Sequence, residues 1–97
     1  MGKKLSNNEK AAQRLATVLA TGRVVSVEAF WGRYTVGAYT PAVGAGGYVL
    51  YGYGVRGPTE VVRGDPLSAG RAAVELCGST RVREAAIRTE RAVGRGL

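Results

Sequence analysis

Between Thr80 and Arg95, the residues Arg81, Glu84, Arg88, Arg91 and Arg95 follow one another at spacings of three, four, three and four. That is the repeat of one face of an α-helix. Each guanidinium is a flat fork of donors that matches a phosphate or a carboxylate. A row of them along a helix is suited to holding the backbone of a nucleic acid by phosphate contacts. Val82, Ala85, Ala86, Thr89 and Val93 make up the opposite set and are expected to meet the core. Lys3, Lys4, Lys10 and Arg14 extend the basic patch if the N-terminal helix lies alongside. A solvated face that only keeps a protein in solution has the same pattern, so the stripe selects an anionic partner without naming it.

Two other groups of residues invite chemistry. Tyr51 and Tyr53 alternate with glycines, which sends both rings to one side of a strand, where they can stack on bases or cover an interface. Gly44, Gly46 and Gly47 form a flexible stretch whose amides can cradle a small anion. Gly52-Tyr53-Gly54-Val55-Arg56-Gly57 matches GxGxxG, but Pro58 follows where the dinucleotide motif needs a helix. Met1-Gly2-Lys3-Lys4-Leu5-Ser6 fits the loose myristoylation pattern, yet Ser6 is better explained as a helix cap.

Catalytic constellations are nearly absent. The chain has no histidine, which removes Ser-His and Cys-His pairs and metal sites built on histidine. Asp65, the sole aspartate, stands before proline as a helix cap. Glu84 sits between Arg81 and Arg88 as an ordinary helical ion-pair neighbour. Cys77 is the only cysteine, so no internal disulfide forms, and its apolar neighbours predict a buried small side chain. The expectation is a protein without enzymatic activity, cofactor or metal.

The elements that must carry these residues can be read in order. Ser6-Asn7-Asn8-Glu9 is a capping box, with the Glu9 carboxylate reaching back to the cap. Ala11, Ala12, Leu15, Ala16, Val18 and Leu19 recur at helical spacing up to Gly22, which closes the helix in the left-handed conformation. The first helix therefore spans roughly 7–20. Residues 23–31, 34–40, 48–55 and 59–63 read as strands from their β-branched and aromatic content. Gly32-Arg33 is expected to form the first turn, and 41–47 a loop. The fourth strand is short and suits an edge. Asp65-Pro66 opens a second helix as cap and first residue, with Leu67, Ala73, Val74, Leu76 and Cys77 as its apolar side. Gly78 ends it, and Ser79 or Thr80 caps the last helix.

The result is one small α+β domain over 1–97, α-β-β-β-β-α-α, a sheet of three or four antiparallel strands with helices on one face. The ends, 1–5 and 94–97, are expected to be flexible. Gly52 and Gly54 share a face of the third strand, so the helices are placed over that face and Tyr51 and Tyr53 on the open one. The order α-β-β-β-α resembles that of double-stranded-RNA-binding domains in topology alone. The lysines those domains carry at the start of the helix after the strands are replaced here by Leu67-Ser68-Ala69-Gly70-Arg71. A helix-turn-helix with Gly78 at the turn puts Glu84 where an apolar residue belongs.

Composition narrows the partners. Fourteen Lys+Arg stand against seven Asp+Glu, a net charge of +7, which favours nucleic acid or an acidic protein. An excess of Arg with Ala, Gly and Val is also what GC-rich coding produces. No stretch is apolar enough to span a membrane and no signal-peptide core is present, so the expected compartment is the cytoplasm.

Three functions are compatible with this pattern. The first is nucleic-acid binding through Arg81, Arg88, Arg91 and Arg95. The second is a phage- or mobile-element-type accessory protein that binds or inhibits an acidic host protein. The third is capture of a small anionic nucleotide. A one-sided sheet leaves Tyr51 and Tyr53 exposed, so a homodimer is expected in each case.

Overall fold

The computed structural model describes residues 5–39, 46–55 and 57–94. The elements are α1 (Asn7–Ala20), β1 (Val25–Ala29), β2 (Gly32–Tyr39), β3 (Gly47–Gly54), β4 (Gly57–Arg63), α2 (Pro66–Cys77) and α3 (Ser79–Gly94). The expected order is present. The fourth strand and the third helix set it apart from the double-stranded-RNA-binding topology.

Local chemistry starts and stops the helices. The Glu9 amide donates to the Ser6 hydroxyl oxygen at 3.1 Å, and the Ser68 amide to the Asp65 carboxylate at 2.8 Å with Pro66 next in line. Such a cap contributes about 1 kcal/mol. The capping box is only half made, because the Glu9 carboxylate turns away from the cap and takes Arg71 of α2 instead, at 2.6 Å. Gly22 closes α1 with φ +88°, its amide bonded to the Leu19 carbonyl. Gly78 alone separates α2 from α3. Its φ of +93° lies where side chains are strained, and its carbonyl accepts from the Val82 amide. It is therefore Gly78, and neither Ser79 nor Thr80, that opens α3.

The strands pair in sequence order, β1-β2-β3-β4, all antiparallel. The first turn differs from expectation. Ala29 pairs with Gly32, so Phe30 and Trp31 make the turn while Gly32 and Arg33 begin β2. The cause is tertiary: the Trp31 indole N–H donates to the Leu76 carbonyl at the end of α2, 3.1 Å away. The Val55 amide also donates to the Trp31 carbonyl at 2.9 Å, tying the two hairpin ends together. Pro58 is accommodated because β4 is an edge strand.

Alternation places Val25, Val27, Tyr34, Val36 and Leu50 on the side facing the helices, all buried. Above them α2 lies against β3 and β4, α3 against β1, and α1 packs on both helices and reaches β2. The core is completed by Leu15 and Leu19 of α1, Ala73, Val74 and Cys77 of α2, and Val82, Ala85 and Ala86 of α3. Gly52 and Gly54 face the helical side as expected, but the group above them is not a helix. A Cβ on either would strike Tyr34 of β2, so the glycines make room for that ring. The close helix approach occurs elsewhere: a Cβ on Gly70 of α2 would meet the Ala12 carbonyl of α1.

Candidate nucleic-acid interface

The helical stripe lies outward. Arg81, Glu84, Arg88 and Arg91 are exposed while Val82, Ala85 and Ala86 are fully covered. Two of the basic groups expected to act are partly engaged within the chain. The Arg88 Nη2 donates to the Ser26 carbonyl of β1 at 3.3 Å. The Arg14 Nε donates to the Glu90 Oε1 at 3.2 Å, both side chains well exposed. Lys10, Arg81 and Arg91 are exposed and form no ion pair among the described residues. Lys3, Lys4 and Arg95 lie outside the described residues.

The Arg14–Glu90 pair spans the two helices α1 and α3, which line an open groove of about 840 Å³. Lys10, Gln13, Arg14 and Thr17 line one wall, Ser79, Thr80 and Arg83 the other. The lining side chains are polar apart from Ile87, with three cationic side chains against the single carboxylate of Glu84. Arg83 escaped the sequence reading. It lies about 200° around the helix from Arg81, off the stripe, and only the presence of α1 beside it gives it company. The signal that would have found it is that Lys10 and Arg14 stand on one side of α1, at a spacing of four.

Over α1 and α3 together, Lys10, Arg14, Arg81, Arg83, Arg88 and Arg91 face Glu9, Glu84 and Glu90. Arg71, on α2, is committed to Glu9, whose carboxyl its hydrogen bonds hold below the ordinary value. Among the described residues the basic excess therefore lies on α1 and α3, on exposed side chains.

The open side of the sheet is different. Tyr51 and Tyr53 point there, 55% and 71% exposed, beside Val49 and Val62. Arg33 stands opposite Tyr53, and Glu60 opposite Tyr51. Arg33 bonds Glu28 of β1 at 3.0 Å. With Glu28 and Glu60 against Arg33, this face carries one net negative charge among the described residues, which disfavours phosphate.

Gly44 lies outside the described residues. Gly47 does not belong to a loop: it opens β3, paired with Tyr39. Gly46 is exposed just before it. Cys77 is buried, and desolvation pushes its thiol up to about 11. Among the described residues no three potential metal ligands come together, and no helix is long and apolar enough to cross a membrane. Comparison of the chain with protein-family models, with curated proteins and with solved structures yields no match in any of the three.

Proposed function

We propose that this chain is a small non-enzymatic protein that binds nucleic acid through phosphate contacts from its α1/α3 side, with little sequence preference. The observation that carries the reading is the groove where Lys10 and Arg14 of α1 face Arg83 of α3, flanked by the exposed stripe of Arg81, Arg88 and Arg91. Cations on two neighbouring helices follow the line of a phosphate backbone, and cations on a lone helical face do not need a second helix. The hydroxyl of Thr80 and the amide of Gln13 add neutral donors to the same oxygens. Among the described residues no aromatic ring lines the groove and Ile87 is its single apolar side chain, so the contacts position a backbone and carry little sequence code.

The test is binding of labelled duplexes of unrelated sequence, and of single strands, across a salt series. Affinities that agree within a few fold between sequences and fall steeply with salt support the proposal. Binding that hardly changes with salt, or none at low salt, rejects it. An acidic protein is the competing partner for the same cations. Purification from cells with and without nuclease separates the two, because a stoichiometric protein retained after nuclease would favour the second.

A further inference from the structure

We infer that the open face of the sheet is a self-association surface whose occupant is a second copy of this chain, packed sheet to sheet. The described large apolar side chains that remain exposed are distributed unevenly. Tyr51, Tyr53 and Val62 lie on this face, Val24 lies against Gly37 at its border, and Phe30 and Val55 stand 89% and 84% exposed at the adjoining hairpin ends. Of the other two, Leu5 precedes α1, and Trp31, 43% exposed, lines a cleft with Tyr34, Val55 and Leu76 beside α2, so the main cluster is the one centred on the tyrosines. A contiguous patch of this kind marks a protein interface, and paired tyrosines at its centre are favoured anchors.

Charge decides between occupants. Among the described residues the face holds Arg33, Glu28 and Glu60, which offers phosphate-bearing partners and anionic membranes no cationic surface. A strongly acidic or strongly basic protein finds no complementary field either. A second copy does. On the central strand β3, Tyr53 is flanked by Arg33 of β2 and Pro58 of β4, and Tyr51 by Thr35 of β2 and Glu60 of β4. A two-fold axis running along β3 lays β2 of one subunit over β4 of the other. Arg33 then lies one residue row from Glu60 of the partner subunit, about 7 Å along the strand, within reach of an arginine side chain that exchanges its exposed pair with Glu28 for the partner's carboxylate. The symmetry makes this contact twice, around stacked tyrosines. Such self-complementarity is the requirement of an isologous dimer.

Area sets the strength. Four strands about 4.8 Å apart and about 25 Å long give a footprint on the order of 500 Å² per subunit. That is at the small end of specific interfaces, which suits a weak, reversible dimer. Its two α1/α3 sides face away from each other, which would let one dimer hold two separate anionic strands. Only that last consequence rests on the proposed function; the association does not.

Sedimentation equilibrium without nucleic acid tests the inference over low micromolar to millimolar protein. The expected mass rises from 10.1 kDa toward twice that value. Tyr53→Glu is expected to stay at the monomer mass throughout with an unchanged circular dichroism spectrum, since its ring is exposed and outside the core. Arg33→Glu and Glu60→Arg are each expected to raise the dissociation constant about tenfold, and the double swap to return it to within about threefold of the parent. A parent protein monomeric at millimolar concentration overturns the inference and leaves the face to some other protein. A Tyr53→Glu variant that still dimerises places the contact at a strand edge or on the helices and overturns it too. So does a double swap no better than the weaker single variant.

Discussion

Replacing Arg83 and Arg91 together by glutamine is expected to flatten the salt dependence of nucleic-acid binding by about 1.8 in log–log slope, since each lost phosphate contact removes about 0.9. Arg83 lines the groove and Arg91 lies in the exposed stripe, so the pair samples both parts of the surface. Neither has an ion-pair partner among the described residues, so their loss strands no carboxylate. Glutamine forms helix nearly as well as arginine, which keeps α3 intact. If Lys10, Arg81, Arg83 and Arg91 each neutralise one phosphate, the slope is about −3.6, and a fourfold rise in salt weakens binding about 150-fold. With two of them gone the slope is about −1.8 and the same rise weakens binding about 12-fold. Contacts from Lys3, Lys4 and Arg95 add equally to both slopes, so the difference is the quantity to measure.

The assay is fluorescence anisotropy of a labelled duplex between 50 and about 200 mM salt, the range over which counterion release is steep. A companion variant, Glu90→Gln, carries the opposite sign. It releases Arg14 from its 3.2 Å pair, and is expected to tighten low-salt binding and steepen the slope by up to about 0.9. Equal slopes for parent and double variant, or weaker binding in Glu90→Gln, would refute the assignment of the phosphate surface to α1 and α3.

Other expectations concern the frame that holds this surface. Gly70→Val should cost about 1–3 kcal/mol or more in urea unfolding, because its side chain would meet the Ala12 carbonyl where α1 crosses α2; an unchanged midpoint would show that the helices are not in close contact there. The Cys77 thiol, raised to about 11 by burial, favours its protonated form in the folded state. Its contribution is therefore fully present below the ordinary thiol value and is lost as pH rises toward 11, and thiol reagents should label Cys77 only in denaturant. Glu9 titrates below its ordinary value because Arg71 hydrogen-bonds its carboxylate. The stability it adds is present above the ordinary carboxylate range and lost as pH falls through the lowered value, so the parent and Glu9→Gln unfolding curves should converge in acid.

The helices were legible because their signals are local. Ser6 and Asp65 cap at once, and Gly22 terminates α1 within one turn of the last apolar residue. The sheet faces were legible for a similar reason: strict alternation along β3 sends Tyr51 and Tyr53 one way and Leu50 the other. What failed in each case depended on a distant residue. Gly32-Arg33 has turn chemistry, yet the turn moved to Phe30 and Trp31 because the indole finds a carbonyl on α2. The glycines of β3 were correctly placed on the helical face, but Tyr34, on the neighbouring strand, was what needed their space. Glu9 had a cap to complete and instead found an arginine on another helix, Arg71.

Arg83 carries the same lesson into function. A helical wheel ranks each side chain against its own axis, and on that scale the stripe from Arg81 to Arg95 is uniform and Arg83 is an outsider. Beside a second helix the ranking changes. Arg88 leans on the sheet edge through the Ser26 carbonyl, while Arg83 turns toward Lys10 and Arg14 across the groove. A lone arginine on a surface holds a phosphate weakly, because the long side chain must be ordered for one exposed contact. In the proposed reading, cations on two helices share one phosphate path, and the packing of α1 against α3 sets their relative placement before a ligand arrives. For that reason Arg83, and not Arg88, is the arginine whose single replacement should lower affinity most: Arg88→Gln is expected to cost less than Arg83→Gln at low salt, and the reverse order would return the binding surface to the outward stripe alone.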